Sequence, residues 1–462
     1  MENSLSAAKQ FTALEKVVYS ILGALLAGMM WRARGSHGWG SEMGVLTVGL
    51  IVVIFIYAVF RRKTNASFFH IVAAASACAL TTPAWGTLLN QTSGYFEVSV
   101  KGDYNNALTQ YECTPCSGVF IMLCLGFGMM PFFVFLVSRL FSDKKYSIVN
   151  YIAVAAVFFG VFYLANATVS HLILKLIQPE SIKAFEWGLD YNGVKGSAYE
   201  IYMKHFSDIQ WAKKIPFGRN FFTEIAVISH AIAAFVTAIF IRIGFKDKVG
   251  GQITFWGCAA FSIGITVANI FFVFKNIYGK NSNPVLSNAW SFWEFFTGFI
   301  SVLILMIVLF AVNDKHPDAG FRDNLIPNLP EKVKDIFLCL FVFCFGFGYT
   351  TITPLAQRLD ASNVFPIIVY AAFGGATAVL AVLMLIGKLP KVYESDPTGI
   401  APKMLPVIFG LHMLWYHFAG YTEECLPSIL EMDAIEVFML IVLPIFYAGY
   451  LIIKRKELFG KR

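Results

Sequence analysis

The feature that most constrains this chain is the recurrence of apolar runs about 20 residues long, each enough to cross the hydrocarbon core of a bilayer as a helix. They fall near 16–33, 43–60, 67–89, 117–141, 147–176, 220–242, 252–274, 290–312, 335–357, 364–387, 402–420 and 434–453. Lipid offers no water to an unpaired backbone group, so runs of this kind must close their hydrogen bonds internally as helices. The expected fold is an all-α, polytopic integral membrane protein with about 12 spans. Composition excludes the alternatives. With 57% hydrophobic and 14% charged residues, and 46 Phe, 19 Tyr and 9 Trp, the chain has too few polar groups to cover a water-facing surface, where about 25% charged residues is usual. A cytosolic enzyme, a disulfide-stapled secreted domain and a disordered scaffold are excluded together. A net charge of +7, spread over such a chain, gives no reason to expect nucleic acid as a partner.

Basic residues near span ends set orientation. With the N-terminus inside, the inner segments hold 23 of the 36 Lys and Arg. Of those left outside, six lie in a single long connection, 178–219. Both termini are therefore expected inside. The opening MENSLSAAKQ lacks a charged segment followed by a short apolar stretch and a cleavage site, so no signal peptide is expected. Two outer connections, 90–116 and 178–219, are long enough to carry structure. In the second, Tyr199, Tyr202, Met203, Phe206 and Ile209 recur at helical spacing, which predicts an amphipathic helix, either packed on the surface or acting as a lid.

The first and second sets of six spans share landmarks in order. Trp39-Gly-Ser-Glu42 opens the second span and Trp290-Ser-Phe-Trp-Glu294 the eighth. Thr81-Thr-Pro83 is echoed by Thr350-Thr-Ile-Thr-Pro354, and Phe159-Gly160 by Phe409-Gly410, which makes Asn166 and Tyr416 equivalent. Glu224 precedes Arg242 by the same interval as Glu436 precedes Lys454. Six is even, so the halves enter the membrane from one side and are parallel repeats about an axis along its normal. The first half is 1–242, a short inner linker is 243–251, and the second half is 252–462. In span number, termini and repeat order the chain resembles the major facilitator superfamily, with a fragment of that family's inner-loop motif at Asp318-Ala-Gly-Phe-Arg322. The resemblance is architectural. It implies secondary transport by alternating access, and it carries over no substrate residues.

Ionisable residues within spans are costly and normally face a cavity or a partner. In this orientation they gather toward the outer ends. The densest group is Trp31-Arg-Ala-Arg-Gly-Ser-His-Gly-Trp-Gly-Ser-Glu42, where Arg32, Arg34 and His37 offer donors to an anion, and a guanidinium fork suits carboxylate or phosphate. The competing reading is a tight hairpin whose arginines reach headgroups or pair with Glu42. His412 and Tyr416 share a helical face and join Asn166 as candidate substrate contacts. Glu42, Glu224, His230 and Glu294 are the candidates for proton coupling, against the reading of each His as a packing residue. No spacing of His or Cys supports a metal site, and no haem or other cofactor is implied. Cys113-Thr-Pro-Cys116 in an outer loop is expected to be a structural disulfide rather than a redox motif, while Cys78, Cys124, Cys258, Cys339 and Cys344 lie within spans as small apolar side chains.

Two functions fit these residues. The first is a secondary transporter of a small anionic or zwitterionic solute, proton-coupled through a carboxylate, in the cell membrane (bacterial inner or plasma membrane), with lipids and the solute as partners. The second is a membrane-embedded transferase whose outward-facing site acts on a lipid-linked glycan, acyl or phosphate substrate. The repeat favours transport, and the collection of charged groups on one side favours catalysis.

Overall fold

The computed structural model describes residues 11–36, 42–60, 115–142, 144–177, 188–191, 194–197, 216–271 and 289–317, with a few single positions beyond them, among which 320 and 323. The described elements in chain order are α1 (Ala13–Ser36), α2 (Glu42–Phe60), α3 (Pro115–Met129), α4 (Pro131–Ser138), α5 (Ile148–Ala167), α6 (Val169–Ile177), β1 (Gly188–Tyr191), β2 (Val194–Ser197), α7 (Pro216–Ile243), α8 (Lys248–Ala268) and α9 (Ala289–Lys315). Five helices here are long and apolar enough to cross a membrane, or six if the bent α3–α4 pair is one span. The protein is membrane-embedded. The spans expected near 335–357, 364–387 and 402–420 lie outside the described residues, as do most of 67–89 and 434–453, so the count of twelve and the division into halves rest on the sequence.

Local chemistry explains where the helices begin and break. Thr12 and Glu15 cap α1 reciprocally: the Thr12 amide donates to Glu15 Oε2 at 2.8 Å and the Glu15 amide to Thr12 Oγ1 at 3.2 Å. At the head of α5, Asn150 Oδ1 accepts from the Ser147 amide at 2.8 Å. The run 117–141 is not one straight helix. Pro131 has no amide to continue the ladder, and α3 and α4 meet at 47°. The run 147–176 is likewise two helices, parted at Thr168 (φ −138°, ψ −86°), whose hydroxyl donates to the Leu164 carbonyl at 2.6 Å. One departure from an all-helical chain stands among the described residues. Within the 178–219 connection β1 and β2 pair antiparallel, Tyr191 opposite Val194, so only Asn192-Gly193 joins them, a pair favoured in two-residue hairpins. The amphipathic helix expected over 199–209 lies outside the described residues.

The helices pack as a series: α2 on α1, α1 on α9, α9 on α8, α8 on α3, α4 and α7, and α7 on α3, α5 and α6. Between α1 and α9 the backbones touch. A Cβ on Gly28 would stand 2.9 Å from the Phe295 carbonyl oxygen, and one on Gly298 would strike the Ala27 carbonyl. Small residues permit this approach, which is how membrane helices gain contact without a hydrophobic driving force between them. At the perimeter α5 buries only Val154, Phe158 and Ala165 and exposes Ile152, Phe159, Tyr163 and Leu164, an apolar outer face suited to lipid.

Ring contacts fix which helix ends share a side. Phe11 before α1, Phe60 at the end of α2 and Phe310 near the end of α9 meet at 5.0–5.5 Å, and Phe141 after α4 joins Phe60 at 4.8 Å. Phe60 and Phe141 thus lie at one end of the bundle, although α3 and α4 lead away from the other.

Candidate functional site

Buried charge collects at two ends of the bundle, and the two collections differ in construction. The first surrounds Arg139, the residue that closes α4. Its Nε donates to Asp323 Oδ2 at 2.9 Å, Nη2 to Asp323 Oδ1 at 2.9 Å, and Nη1 to Asp247 Oδ2 at 2.6 Å. Nη2 also donates to the Lys144 carbonyl. The guanidinium lies 3.6 Å above the Tyr146 ring, adding a cation–π contact. Each carboxylate is satisfied in turn. Asp323 accepts from the Tyr146 amide and the Tyr151 hydroxyl, both at 2.6 Å. Asp247 accepts from Ser142 Oγ and the Gly250 amide, both at 2.8 Å.

One arginine against two carboxylates leaves this cluster a charge short, yet Arg139 and Asp247 are fully buried. The compensation is geometric. Asp247 is the N-cap of α8, where the helix macrodipole contributes about half a positive charge. Lys246 adopts a positive φ of 53°, which a non-glycine residue does at a cost, and thereby turns the chain from α7 to set Asp247 at that position. Burial pulls the Arg139 pKa down, but the Asp323 hydrogen bond and the fields of both aspartates outweigh it and raise it above the ordinary value. Burial pushes the Tyr146 phenol upward and the Asp247 charge adds to this. Tyr146 therefore stays neutral beside the cluster.

The second collection lies at the opposite end of the bundle, on α1 and α9. Arg32, in the last turns of α1, brings Nη1 to 3.9 Å from Glu294 Oε2, in the second turn of α9, and both residues are buried. At the other end of this helix pair Lys16 Nζ reaches Asp314 Oδ2 at 2.6 Å, but there the side chains are 31% and 42% exposed. On α9, Glu294 is followed at i+3 and i+7 by Thr297 and Ser301, so the three share one face. Both hydroxyls are fully buried and have no hydrogen-bond partner among the described residues. Elsewhere in the bundle the hydroxyls of Ser229, Thr254 and Thr266 each donate to the carbonyl four residues earlier, at 2.6–2.8 Å. Ser301 Oγ abuts α8 where Gly264 leaves no Cβ to meet it.

The residues singled out from the sequence separate in three dimensions. Arg32 and Glu294, from two different spans, come together. Glu224 is buried on α7, which packs on α3, α5, α6 and α8, with α8 between it and α9. His230 on α7 meets α3 and α5. Its Nδ1 lies 2.7 Å from the Ala226 carbonyl in its own helix, its ring stacks obliquely on Phe162 with centroids 4.4 Å apart, and its Cβ lies where Gly128 of α3 leaves room. These are packing contacts. Asn166 is half-buried near the end of peripheral α5, remote in the series from α1 and α9. For Arg34, Glu42 and Cys116 the backbone alone is described, in helices. His37, Cys113, His412 and Tyr416 lie outside the described residues.

The sequence reading missed Arg139, Asp247 and Asp323 as a unit, and it missed Thr297 and Ser301. Arg139 counted only as a basic residue near a span end. Asp247 lies between Lys246 and Lys248, which resembles an exposed turn. The available signal was Asp247 three residues before Gly250 at the head of an apolar run, an N-cap spacing. Among the described residues no group of three His, Cys, Asp or Glu is arranged to hold a metal. Comparison of the chain with known protein families, with curated proteins and with solved structures finds no match.

Proposed function

We propose that the protein is a secondary active transporter of a small anionic or zwitterionic solute, with the Arg139 end facing the inside and the Arg32–Glu294 end facing out, in the cell membrane. The observation that carries this reading is the contrast between the ends. Alternating access requires a barrier on one side of a central site and passage on the other. At the Arg139 end, segments 139–151, 247 and 323 are tied by a saturated ionic cluster and capped by the Phe11, Phe60, Phe141 and Phe310 rings, and these segments come from both proposed halves. At the other end Arg32 and Glu294 stand 3.9 Å apart between α1 and α9. Such a cluster, made or broken as a unit, is the kind of two-state element that a rocking motion needs.

Glu224 is the carboxylate proposed to couple a proton, since it is buried on a span that packs against both halves. Reconstitution into proteoliposomes tests the reading. Solute accumulation should collapse with a proton ionophore, and Glu224→Gln should abolish accumulation while leaving counterflow exchange. Accumulation that persists in Glu224→Gln would remove it from coupling. The transferase reading draws on the gathering of Arg32, Glu224 and Glu294 toward one end. Turnover of a labelled lipid-linked substrate in detergent, without any solute exchange, would favour it.

A further inference from the structure

We infer that the Arg139 end of the bundle carries a binding site for an anionic phospholipid of the leaflet at that end, formed by the α4–α5 loop and the α7–α8 turn. Five basic side chains are exposed there: Lys144 and Lys145 in the loop, Arg242 in the last turn of α7, Lys246 in the turn and Lys248 at the head of α8. None of the five forms an ion pair with a described residue. The two segments are held against each other by what lies beneath them. Arg139 donates both to the Lys144 carbonyl and to Asp247 Oδ2, Ser142 Oγ donates to the same Asp247 oxygen at 2.8 Å, and the Tyr146 and Phe245 rings meet edge to face at 5.0 Å. Exposed lysines are the chain neighbours of buried anchors, Lys145 of Tyr146, and Lys246 and Lys248 of Asp247. Burial of the anchors fixes the backbone that presents the lysines, which spares part of the ordering cost a flexible basic tail meets on binding. Arg242 adjoins them, its Cβ lying where Gly251 of α8 leaves room.

Charge and apolar surface together select a lipid. The carboxylates packed beneath the patch, Asp247 and Asp323, are buried and bonded to Arg139, so their one unmatched negative charge offsets only a fraction of the five cations. Clusters of about four to eight Lys and Arg at the ends of membrane helices attract anionic headgroups. From the same patch α5 and α7, which pack together, run into the bilayer with exposed apolar side chains, Ile148 and Ile152 in the first turns of α5 and Ile239 and Ile243 in the last turns of α7. A phosphate held by the cations therefore brings its acyl chains against an apolar wall. A soluble anion gains nothing from that wall. Such a site serves a transporter and a transferase alike, so it stands apart from the choice between them.

The purified full chain in detergent tests this by titration with phosphatidylglycerol, with phosphatidylcholine of the same acyl chains and with inorganic phosphate, bound lipid being counted by native mass spectrometry beside the unfolding temperature. Phosphatidylglycerol should be retained and should raise the unfolding temperature more than either of the others. Lys246→Gln combined with Lys248→Gln should weaken phosphatidylglycerol by about 25-fold, since each cation near an anionic headgroup contributes about fivefold, and Lys246→Arg with Lys248→Arg should match the parent. Lys175→Gln with Lys315→Gln, at two exposed lysines outside the patch, removes the same charge and should change the affinity little. Equal losses in the two glutamine pairs would make the patch part of a general basic collar and overturn the site. Failure to retain phosphatidylglycerol overturns it, as does equal retention of phosphatidylcholine or equal stabilisation by inorganic phosphate. Should the Lys246 and Lys248 pair fail to fold, Lys144→Gln with Lys145→Gln carries the same expected loss, and an unaltered affinity there overturns the site as well.

Discussion

The two ends of the helix bundle solve the problem of buried charge in opposite ways. Around Arg139, each formal charge is held by short hydrogen bonds, a helix N-terminus supplies what the side chains lack, and Tyr146 covers the guanidinium. Around Arg32, the charges are also buried but stand 3.9 Å apart, and hydroxyls near them lack a partner among the described residues. The first is the construction of a lock, whose value lies in having no opening for anything else. In the second it is the Thr297 and Ser301 hydroxyls that stay unbonded among the described residues. Burial alone therefore does not identify a functional residue; how fully its hydrogen-bonding capacity is used separates the two cases.

Breaking the lock should produce the largest effect. Arg139→Leu removes the cation that bonds both Asp247 and Asp323, and leaving buried charge uncompensated typically costs about 3–5 kcal/mol. Unfolding of the purified protein should shift to distinctly lower temperature, and Arg139→Lys should rescue little because one ammonium cannot reach both carboxylates in the guanidinium's plane. Near-parental stability of Arg139→Leu would show that the cluster is dispensable and would void the contrast drawn between the ends.

A smaller effect should appear with pH. The Tyr146 phenol has a folded pKa raised above its unfolded value of about 10. The native state therefore retains a proton that the unfolded chain gives up. The stability this supplies is fully present below about pH 10 and is lost as pH rises beyond it. Thermal stability should fall as pH rises above about 10, and Tyr146→Phe, which keeps the ring over Arg139, should lessen the fall. An identical alkaline profile in the two proteins would detach Tyr146 from the cluster's energetics.

The smallest effect should come from the exposed pair that completes the α1–α9 contact. Lys16 and Asp314 are close, at 2.6 Å, yet partly solvated, and such pairs contribute about 0–1 kcal/mol. Lys16→Met should shift the unfolding temperature barely, and less still at high salt. A loss rivalling that of Arg139→Leu would mean that exposure is a poor guide in this bundle.

Much of the fold was legible before any coordinates. Apolar runs placed α1, α2, α7, α8 and α9 within a few residues, because a helix long enough to cross lipid must be apolar along its length and little else in a sequence looks like that. The bend at Pro131 and the hairpin joined by Asn192-Gly193 were not expected from the sequence, although a proline inside an apolar run and an Asn-Gly pair are signals for each. The site was legible in part. Arg32 and Glu294 stood out because charge inside an apolar run is rare. Nothing in their spacing, however, joined two residues so distant in sequence, or set His230 among phenylalanines while Glu294 met an arginine.

The sequence by itself determined that this is a membrane protein and where several of its helices lie, because the transfer of each side chain into lipid is a local property of the residue. The tertiary structure alone decided which of these charges are neutralised and by whom. Arg139 is sealed because Asp323 and the α7–α8 turn are brought to it, and Arg32 meets Glu294 because Gly28 and Gly298 let two backbones touch. Pairing energy depends on distances of a few ångströms between segments far apart in the chain, and such distances are set by how helices pack.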